Sequence, residues 1–366
     1  MAKTNDKSGD NGAGRWGRVL VTGGGGHLGA NLVRRLLDDG HEVRALYQPA
    51  HDNRGLDGLD VELVPGDLRD LEAMKKAVDG CSHVFHAAAK VSTLHGEEQE
   101  LFEINVVGTR NLLRAAKEAD VERVVVTGSF SAVGFEPDNP SKATSEDGLP
   151  FYPFTKHMPY GLTKHLVEHE CWWAAASGQD VVVATSCAII GPNDFIPSRL
   201  GRTLCDFANG KLRAFIPGGF EFVASRDIVE GHILAMQKGR SGHKYIFASE
   251  YLEVDQLMDL FEEVTGRRRP VRLPPNVMLP IAYVSTLFKR TFFPKSPHRF
   301  TPLAVHVLQS RRHADTSKAK RELGFQPTPM RDAIRAAFEF FVEQKMIDGR
   351  TSARSTRPYH GAEARL

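Results

Sequence analysis

The stretch Val19-Leu20-Val21-Thr22-Gly23-Gly24-Gly25-Gly26-His27-Leu28-Gly29 constrains this chain more than any other. An apolar run that reads as a β-strand is broken by four consecutive glycines. Leu28, Leu32, Val33, Leu36 and Leu37 then recur at three-to-four spacing, the pattern of an amphipathic helix. A strand, a glycine turn and a helix together make a phosphate cradle, because the helix start offers unbonded N–H groups and the positive end of its dipole. Gly23 is expected at the tight turn. Gly26 is expected where backbone approaches a pyrophosphate, and Gly29 where the helix packs closely on the strand. No Gly-Lys-Ser/Thr ending follows, which argues against a nucleoside-triphosphate P-loop. A bare glycine turn would explain the glycines equally well, but the flanking strand and helix favour the cradle.

The alternation of apolar strands and helices continues. His41 to Tyr47, Val61 to Val64, His83 to His86, Arg123 to Thr127 and Val181 to Ala184 read as further strands. Helical patterns separate them, the longest running from about Glu97 to Ala119 and another from Pro159 to about Ala176. Val- and Ile-rich strands alternating with helices predict an α/β fold with a doubly wound parallel sheet of Rossmann type, covered on both faces. Past Gly191-Pro192 the alternation weakens, which predicts a smaller mixed C-terminal lobe over the carboxyl edge of the sheet. The expected division is a disordered leader at 1–17 and a dinucleotide-binding domain at 18–190. A mostly substrate-binding lobe at 191–348 and a flexible tail at 349–366 complete it.

Composition narrows the classes of partner. A formal net charge of +2 in 366 residues gives no field that would select nucleic acid, and no nucleic-acid motif appears. Cys81, Cys171, Cys187 and Cys205 form no Cys-x-x-Cys pair, and the fifteen histidines show no ligand spacing. No metal is expected, and a reducing cytoplasm suits the cysteines.

Tyr160-Gly161-Leu162-Thr163-Lys164 is the second informative stretch. Pro159 suits a helix start, and residues four apart share a helix face. An ammonium beside a phenol favours the phenolate, so the Tyr160 pKa is expected to fall toward neutrality. Tyr160 then becomes a proton donor or acceptor. Tyr-x-x-x-Lys is common on helix surfaces. Here a hydroxyl-rich strand end, Thr127-Gly128-Ser129-Phe130-Ser131, lies between it and the glycine turn. Ser129 or Ser131 would hold a substrate oxygen, or simply cap the turn.

These motifs, in this order, resemble the extended short-chain dehydrogenase/reductases. The similarity is to the NAD-dependent epimerase/dehydratase family, on the side of the dihydroflavonol reductases and 3β-hydroxysteroid dehydrogenases. Further matching segments are Gly66-Asp67-Leu68, His86-x-Ala88-Ala89, Asn105-Val106-x-Gly108-Thr109-x-Asn111-Leu112, Ile190-Gly191-Pro192, Arg226-Asp227-Ile228-Val229 and Asp315-x-Ser317-Lys318-Ala319. The resemblance spans about Arg18 to Gln344. It implies catalytic roles for Ser129, Tyr160, Lys164 and Asn105. It implies a dinucleotide held by Gly23, Gly26, His27, Leu28, Gly29, Tyr47, Gln48, Asp67, Leu68, Ala87, Ala88, Ala89, Thr127, Tyr160, Lys164 and Ser186. Ser129, Ser131, Lys90, Cys187, Asn193 and Phe195 fall on the substrate side. A homodimer is the family-based expectation.

Three departures stand out. His27 occupies a position that is commonly Phe, and a surface substitution is the expected reading. Neither the Asp that marks NAD nor the Arg that marks NADP follows the second strand, where Tyr47 and Gln48 stand. With no cation at the phosphate position, the expectation is NAD(P)H with a lean to NADH. Thr185-Ser186-Cys187-Ala188 replaces the proline that often touches the nicotinamide.

The second lobe between Asn193 and Phe222 is rich in Phe, Leu and Ile. That composition favours a bulky, largely apolar carbonyl or secondary alcohol as substrate. The alternatives are a nucleotide-sugar epimerase or dehydratase with tightly bound NAD, or a nucleotide-sensing regulator. The apolar run in 277–293 is shorter than the roughly twenty residues a membrane span needs. It reads first as a core or lid helix and second as a helix lying on a membrane surface.

Overall fold

The computed structural model describes residues 16–92, 96–135, 139, 142–147, 158–274 and 308–348. The run at 277–293, the tail at 349–366 and most of the expected leader lie outside them. Trp16, inside the expected leader, stacks on His41 and His83 with ring centroids 4.6 and 5.2 Å apart.

Seven parallel strands form the main sheet. They are β1 (Val19–Thr22), β2 (Val43–Tyr47), β3 (Glu62–Pro65), β4 (His83–His86), β5 (Arg123–Ser129), β6 (Val181–Ser186) and β10 (Lys244–Phe247), in the order β10-β6-β5-β4-β1-β2-β3. The order reverses between β1 and β4, and that switch point is where open α/β sheets bind ligands. Successive strand residues enter opposite cores. Val19 and Val21 pack with α1 (His27–Asp38), whereas Leu20 packs with α2 (Leu71–Val78) and α4 (Gly108–Glu118). This is why the strands read as continuous apolar runs. Full burial of each such Val or Leu contributes about 2 kcal/mol.

Parallel register brings the strand ends to one edge. Thr22 stands opposite His86, and Ser129 opposite Ser186. The long helix is interrupted: α3 (Glu98–Leu101) passes through a π-helical turn (Phe102–Val107) into α4. α5 (Pro159–Ala176) begins with proline, as expected, and crosses the edge with its first turns.

The second lobe is a three-stranded sheet of β7 (Ala188–Ile190), β9 (Gly219–Ala224) and β11 (Glu250–Glu253). β8 (Ala214–Phe215) pairs with β12 (Val271–Arg272). α6 (Arg199–Ala208), α8 (Val254–Thr265) and α9 (Met330–Glu343) enclose the lobe's core around Phe207, Phe261 and Phe341. Residue 190 is not a clean boundary in space. α7 (Ser225–Lys238), β10 and Phe325 return to the first core, so the first domain is completed by chain from beyond the second lobe's start. Among the described residues no helix is long and apolar enough to cross a membrane, and no group of three side chains could hold a metal ion. All four cysteines are free.

Candidate active site

Gly23 adopts φ +70°, and a Cβ there would lie 2.7 Å from the Ala88 Cα. The turn therefore presses directly on the Ala87–Ala89 segment, and a side chain would push the two apart. A Cβ on Gly29 would sit 2.1 Å from the Gly23 carbonyl oxygen. Gly29 thus lets the helix close onto the turn itself, not onto the strand as expected. The Gly26 N–H donates to Gly23 O at 2.9 Å. Gly26 is the N-cap of α1, carries no side-chain cap, and no acidic residue follows in the first turn. The amides of that turn and the helix dipole are left facing outward, which suits a diphosphate. The Leu28 side chain is buried in the core, leaving its backbone for the cradle.

Beyond β2, the Gln48 Nε2 donates to Asp67 Oδ2 at 3.1 Å. Arg69 also donates to Asp67 and holds its carboxyl below the usual range. Leu68 is buried, and Asn111 donates to its carbonyl. Arg54 pairs with Asp52. The end of β2 therefore presents Tyr47, an amide and a carboxylate, with both nearby guanidinium groups engaged by acids.

On the other side of the switch point, Ser129 ends β5 and Tyr160 opens α5. Both line a cavity of about 200 Å3, with the Ser129 hydroxyl near enough to the phenol to lower its pKa. Ser129 Oγ also accepts the Ser131 N–H at 3.2 Å, so this serine caps the turn as well as facing the cavity. Burial raises the Tyr160 pKa, and the Ser129 hydroxyl only partly opposes this. That corrects the sequence expectation of a lowered value. Lys164 sits one helical turn on, buried, and donates to the Thr127 carbonyl at 2.7 Å. Burial lowers its own pKa to about 8. The phenol is thus a protonated donor at neutral pH.

A chain of hydrogen bonds joins the glycine turn to Tyr160. Ala88 N–H donates to Thr22 Oγ1 at 3.3 Å, and Thr22 Oγ1 lies 2.7 Å from His86 Nδ1. His86 Nε2 lies 2.9 Å from Thr109 Oγ1, whose own proton goes to Asn105 O. His86 must therefore donate from Nε2 and accept Thr22 at Nδ1. Asn105 Oδ1 accepts the Lys90 N–H, while Nδ2 donates to Lys90 O and Thr163 Oγ1. Thr163 in turn donates to Tyr160 O at 2.9 Å. Burial lowers the His86 pKa to about 3, so its imidazole is neutral. On the far face, Thr127 Oγ1 is 2.9 Å from Nε2 of His232, another buried histidine, which donates from Nδ1 to Ile228 O.

The family model for the NAD dependent epimerase/dehydratase family matches residues 19–248. The chain belongs to that family. It is an extended short-chain dehydrogenase/reductase, an NAD(P)-dependent oxidoreductase of Rossmann fold. Sterol demethylase protein B of Methylococcus capsulatus is 44% identical over 330 residues, covering 90% of this chain and 99% of the relative. A putative dihydroflavonol 4-reductase of Synechocystis is 32% identical over 88% of this chain and 94% of its own length. Among solved structures, gox2253 superposes with a TM-score of 0.77 at 30% identity, over 90% of this chain and 99% of that one.

Within this member of the epimerase/dehydratase family, the residues expected on the substrate side divide. Ser131 and Cys187 line the cavity with Ser129, and so does Ser186 from the cofactor set. Lys90 does not: its ammonium pairs with Glu97 and Glu100, and its backbone is what Asn105 holds. Asn193 adopts φ 62° and donates to Asn31 Oδ1, tying its loop to α1. Phe195 packs edge-on against Phe340, beneath Arg34.

His27 is not a surface substitution. Its side chain is 9% exposed, its Nε2 lies 3.1 Å from Pro192 O, and its Nδ1 lies 4.0 Å from buried Asp194. It fastens the start of α1 to the second lobe. Sequence reasoning also missed Met158, Phe220, Glu221 and Arg312 in the cavity wall. The available signal for Glu221 was a lone acid inside the apolar run Phe220-Glu221-Phe222-Val223.

Proposed function

We propose that the chain interconverts a ketone and a secondary alcohol on a bulky, largely apolar molecule of the sterol class. The observation that carries this reading is Ser129 and Tyr160 lining one cavity at the carboxyl ends of β5 and β6. Met158, Phe130, Phe220 and Ala188 supply an apolar wall to that cavity. The 44% identity to a sterol demethylase component, along nearly all of that protein, supports the substrate class.

The α1 amides from Gly26 onward would hold the diphosphate, Tyr47, Gln48 and Asp67 the adenosine side, and Ala87–Ala89 the passage between. Lys164 and Tyr160 would hold the nicotinamide ribose, with Thr127 and Ser186 alongside. The nicotinamide, when bound, supplies or accepts the hydride. Ser129 orients the substrate oxygen, and Tyr160 donates a proton to it during reduction or takes one during oxidation. Lys164, buried beneath, stabilises negative charge on the phenol when the proton has left. The carboxylate and amide at the end of β2 favour NADH, since a 2′-phosphate would meet Asp67 there.

The test uses purified protein with cholestanone and NADH, followed by nicotinamide absorbance, with NADPH in parallel. Turnover is expected, faster with NADH. Tyr160→Phe is expected to lower kcat by about 1000-fold, while the affinity for NADH stays of the same order. Undiminished turnover in that variant would sink the assignment.

A further inference from the structure

His27 is the first residue of α1 and directly follows the N-cap Gly26. Its backbone therefore belongs to the helix start that the proposed function gives to the diphosphate. Its ring reaches the loop after β7, where Nε2 lies 3.1 Å from Pro192 O. A carbonyl only accepts, so Nε2 carries a hydrogen. In the neutral ring Nδ1 is then a bare lone pair, and it faces Asp194 Oδ2 at 4.0 Å. Asp194 is 1% exposed and accepts the Ser198 N–H at the start of α6.

A lone pair set against a carboxylate is an unfavourable contact, and a second N–H on the ring would turn it into an ion pair. Holding Pro192 does not call for a histidine, because Asn31 Nδ2 donates to the same carbonyl at 3.0 Å. Burial holds the His27 pKa below its ordinary value, against the pull of Asp194 and of the Pro192 and Gly191 carbonyls. The positive end of α1 acts in the same direction as burial. The remaining charged neighbours are set apart or engaged. On α6, the Cys205 thiol is pushed up to about 12, by burial first and by Asp194 second, and stays uncharged. Arg202 on the same helix donates to Pro197 O, and Arg34, two turns along α1, lies over the Phe195 ring. Glu339 and Glu343 of α9 line a groove with Pro192 and Asn193.

We propose that His27 is a positioning residue that couples the dinucleotide site to the second lobe: diphosphate binding at the start of α1 draws a proton onto its ring, and Nδ1–H then donates to Asp194. This rests on the reading of the glycine turn as the diphosphate cradle. Two negative charges arriving at the first turn offset the positive helix end and stabilise a cation there. The proton comes from solvent, and no covalent bond of the cofactor changes. The resulting ion pair ties the start of α1 to the start of α6 through Asp194 and Ser198. Linkage fixes the sign. Binding that takes up a proton is tighter at lower pH, until the free protein is itself protonated.

The test is titration calorimetry of NAD+ binding between pH 8 and pH 6, in buffers of high and low ionisation enthalpy. It reads proton uptake directly and needs no turnover. The wild type is expected to take up about half a proton near pH 7, and to bind about tenfold more tightly at pH 6 than at pH 8. His27→Gln, whose amide keeps a donor for Pro192 O, is expected to bind without uptake and with a Kd constant within about twofold. Exposed His51, whose charge acts on Asp67 at the adenosine side, stays in place in that variant. Asp194→Asn keeps an acceptor for Ser198 and is expected to move the pH dependence to lower pH, which tests the coupling even where His27→Gln is unstable. Wild-type binding without proton uptake, undiminished uptake in His27→Gln, or an unmoved dependence in Asp194→Asn overturns the role of His27 and leaves the cradle intact. Absence of NAD+ binding at every pH overturns both.

Discussion

Gly29 shows how tightly a single residue can be specified. The hydrogen atom it carries in place of a side chain faces the Gly23 carbonyl, and a methyl group would lie 2.1 Å from that oxygen and 2.9 Å from the Gly24 Cα. Both obstacles are backbone, and Gly23 O is already fixed by the Gly26 N–H. Gly29→Ala therefore has to open the turn. The expected cost is about 3 kcal/mol, the upper range for overpacking a closed site. A melting-temperature increase with NADH, expected of the wild type, should vanish in this variant, because the proposed function makes the displaced turn the diphosphate cradle. A variant that melts lower yet keeps its NADH-induced shift would separate the turn from cofactor binding and contradict this account. Tyr160 and Glu221 illustrate the complementary case. Both acids are shifted upward by burial, but one lies far above neutrality and the other close to it. On the proposed reading the protonated phenol is suited to giving a proton to oxygen.

At the scale of elements, the helix read from Glu97 to Ala119 is one helix in sequence and three pieces in space. The π-helical turn at Phe102–Val107 contains Asn105, and such turns gather at functional sites because they shift side chains relative to a regular helix. Asn105 uses both ends of its amide: Oδ1 accepts the Lys90 N–H, and Nδ2 donates to the Lys90 carbonyl and to Thr163 on α5. The element thus couples the Ala87–Ala89 segment to the backbone of Tyr160. The chain Thr22–His86–Thr109–Asn105–Thr163 reaches the same end from β1. α1 plays the equivalent part on the other side, where His27 and Asn31 both engage Pro192 O. The loop that follows β7 is thus held by the helix that starts at the glycine turn.

At the scale of the whole molecule, these buried networks make the fold sensitive to acid. Burial lowers the pKa of His86 to about 3 and of His232 to about 4, from an ordinary value near 6.5. Both are neutral in the native state, so below pH 6.5 the unfolded chain takes up protons that the folded chain does not. Their contribution is complete above that pH and is lost progressively as pH falls toward 3 to 4, at about 1.4 kcal/mol per histidine for each pH unit. Glu221 works in the opposite direction. Its raised pKa costs stability that is regained as pH falls from about 7 toward its ordinary value, and the raised values of Glu146 and Glu168 act likewise. Burial lowers His27, His83, His165 and His243 in the same sense as the two buried histidines. The melting temperature should fall between pH 6.5 and 5, and His232→Gln should flatten the slope. A melting temperature that stays level over that range would contradict the neutral assignment of the two histidines.

What the sequence determined by itself was everything carried by local pattern. The glycine turn between strand and helix, the parallel α/β alternation, Pro159 opening a helix and the Tyr160–Lys164 spacing all depend on neighbours in the chain. They could be read because a period of two or of 3.6 and a turn's steric demand are local properties. Tertiary structure alone decided which side chains face one another across distant segments. It turned His27 from a surface residue into a fastening to Pro192, and it engaged Lys90, Asn193 and Phe195 with partners outside the cavity lining. It returned β10 to the first sheet, and brought Glu221 into the lining of the same cavity as Ser129 and Tyr160. It also reversed the expected direction of the Tyr160 shift. Spacing put an ammonium one turn from the phenol. Burial, and a carbonyl that takes the ammonium's hydrogen bond, are properties of the folded interior.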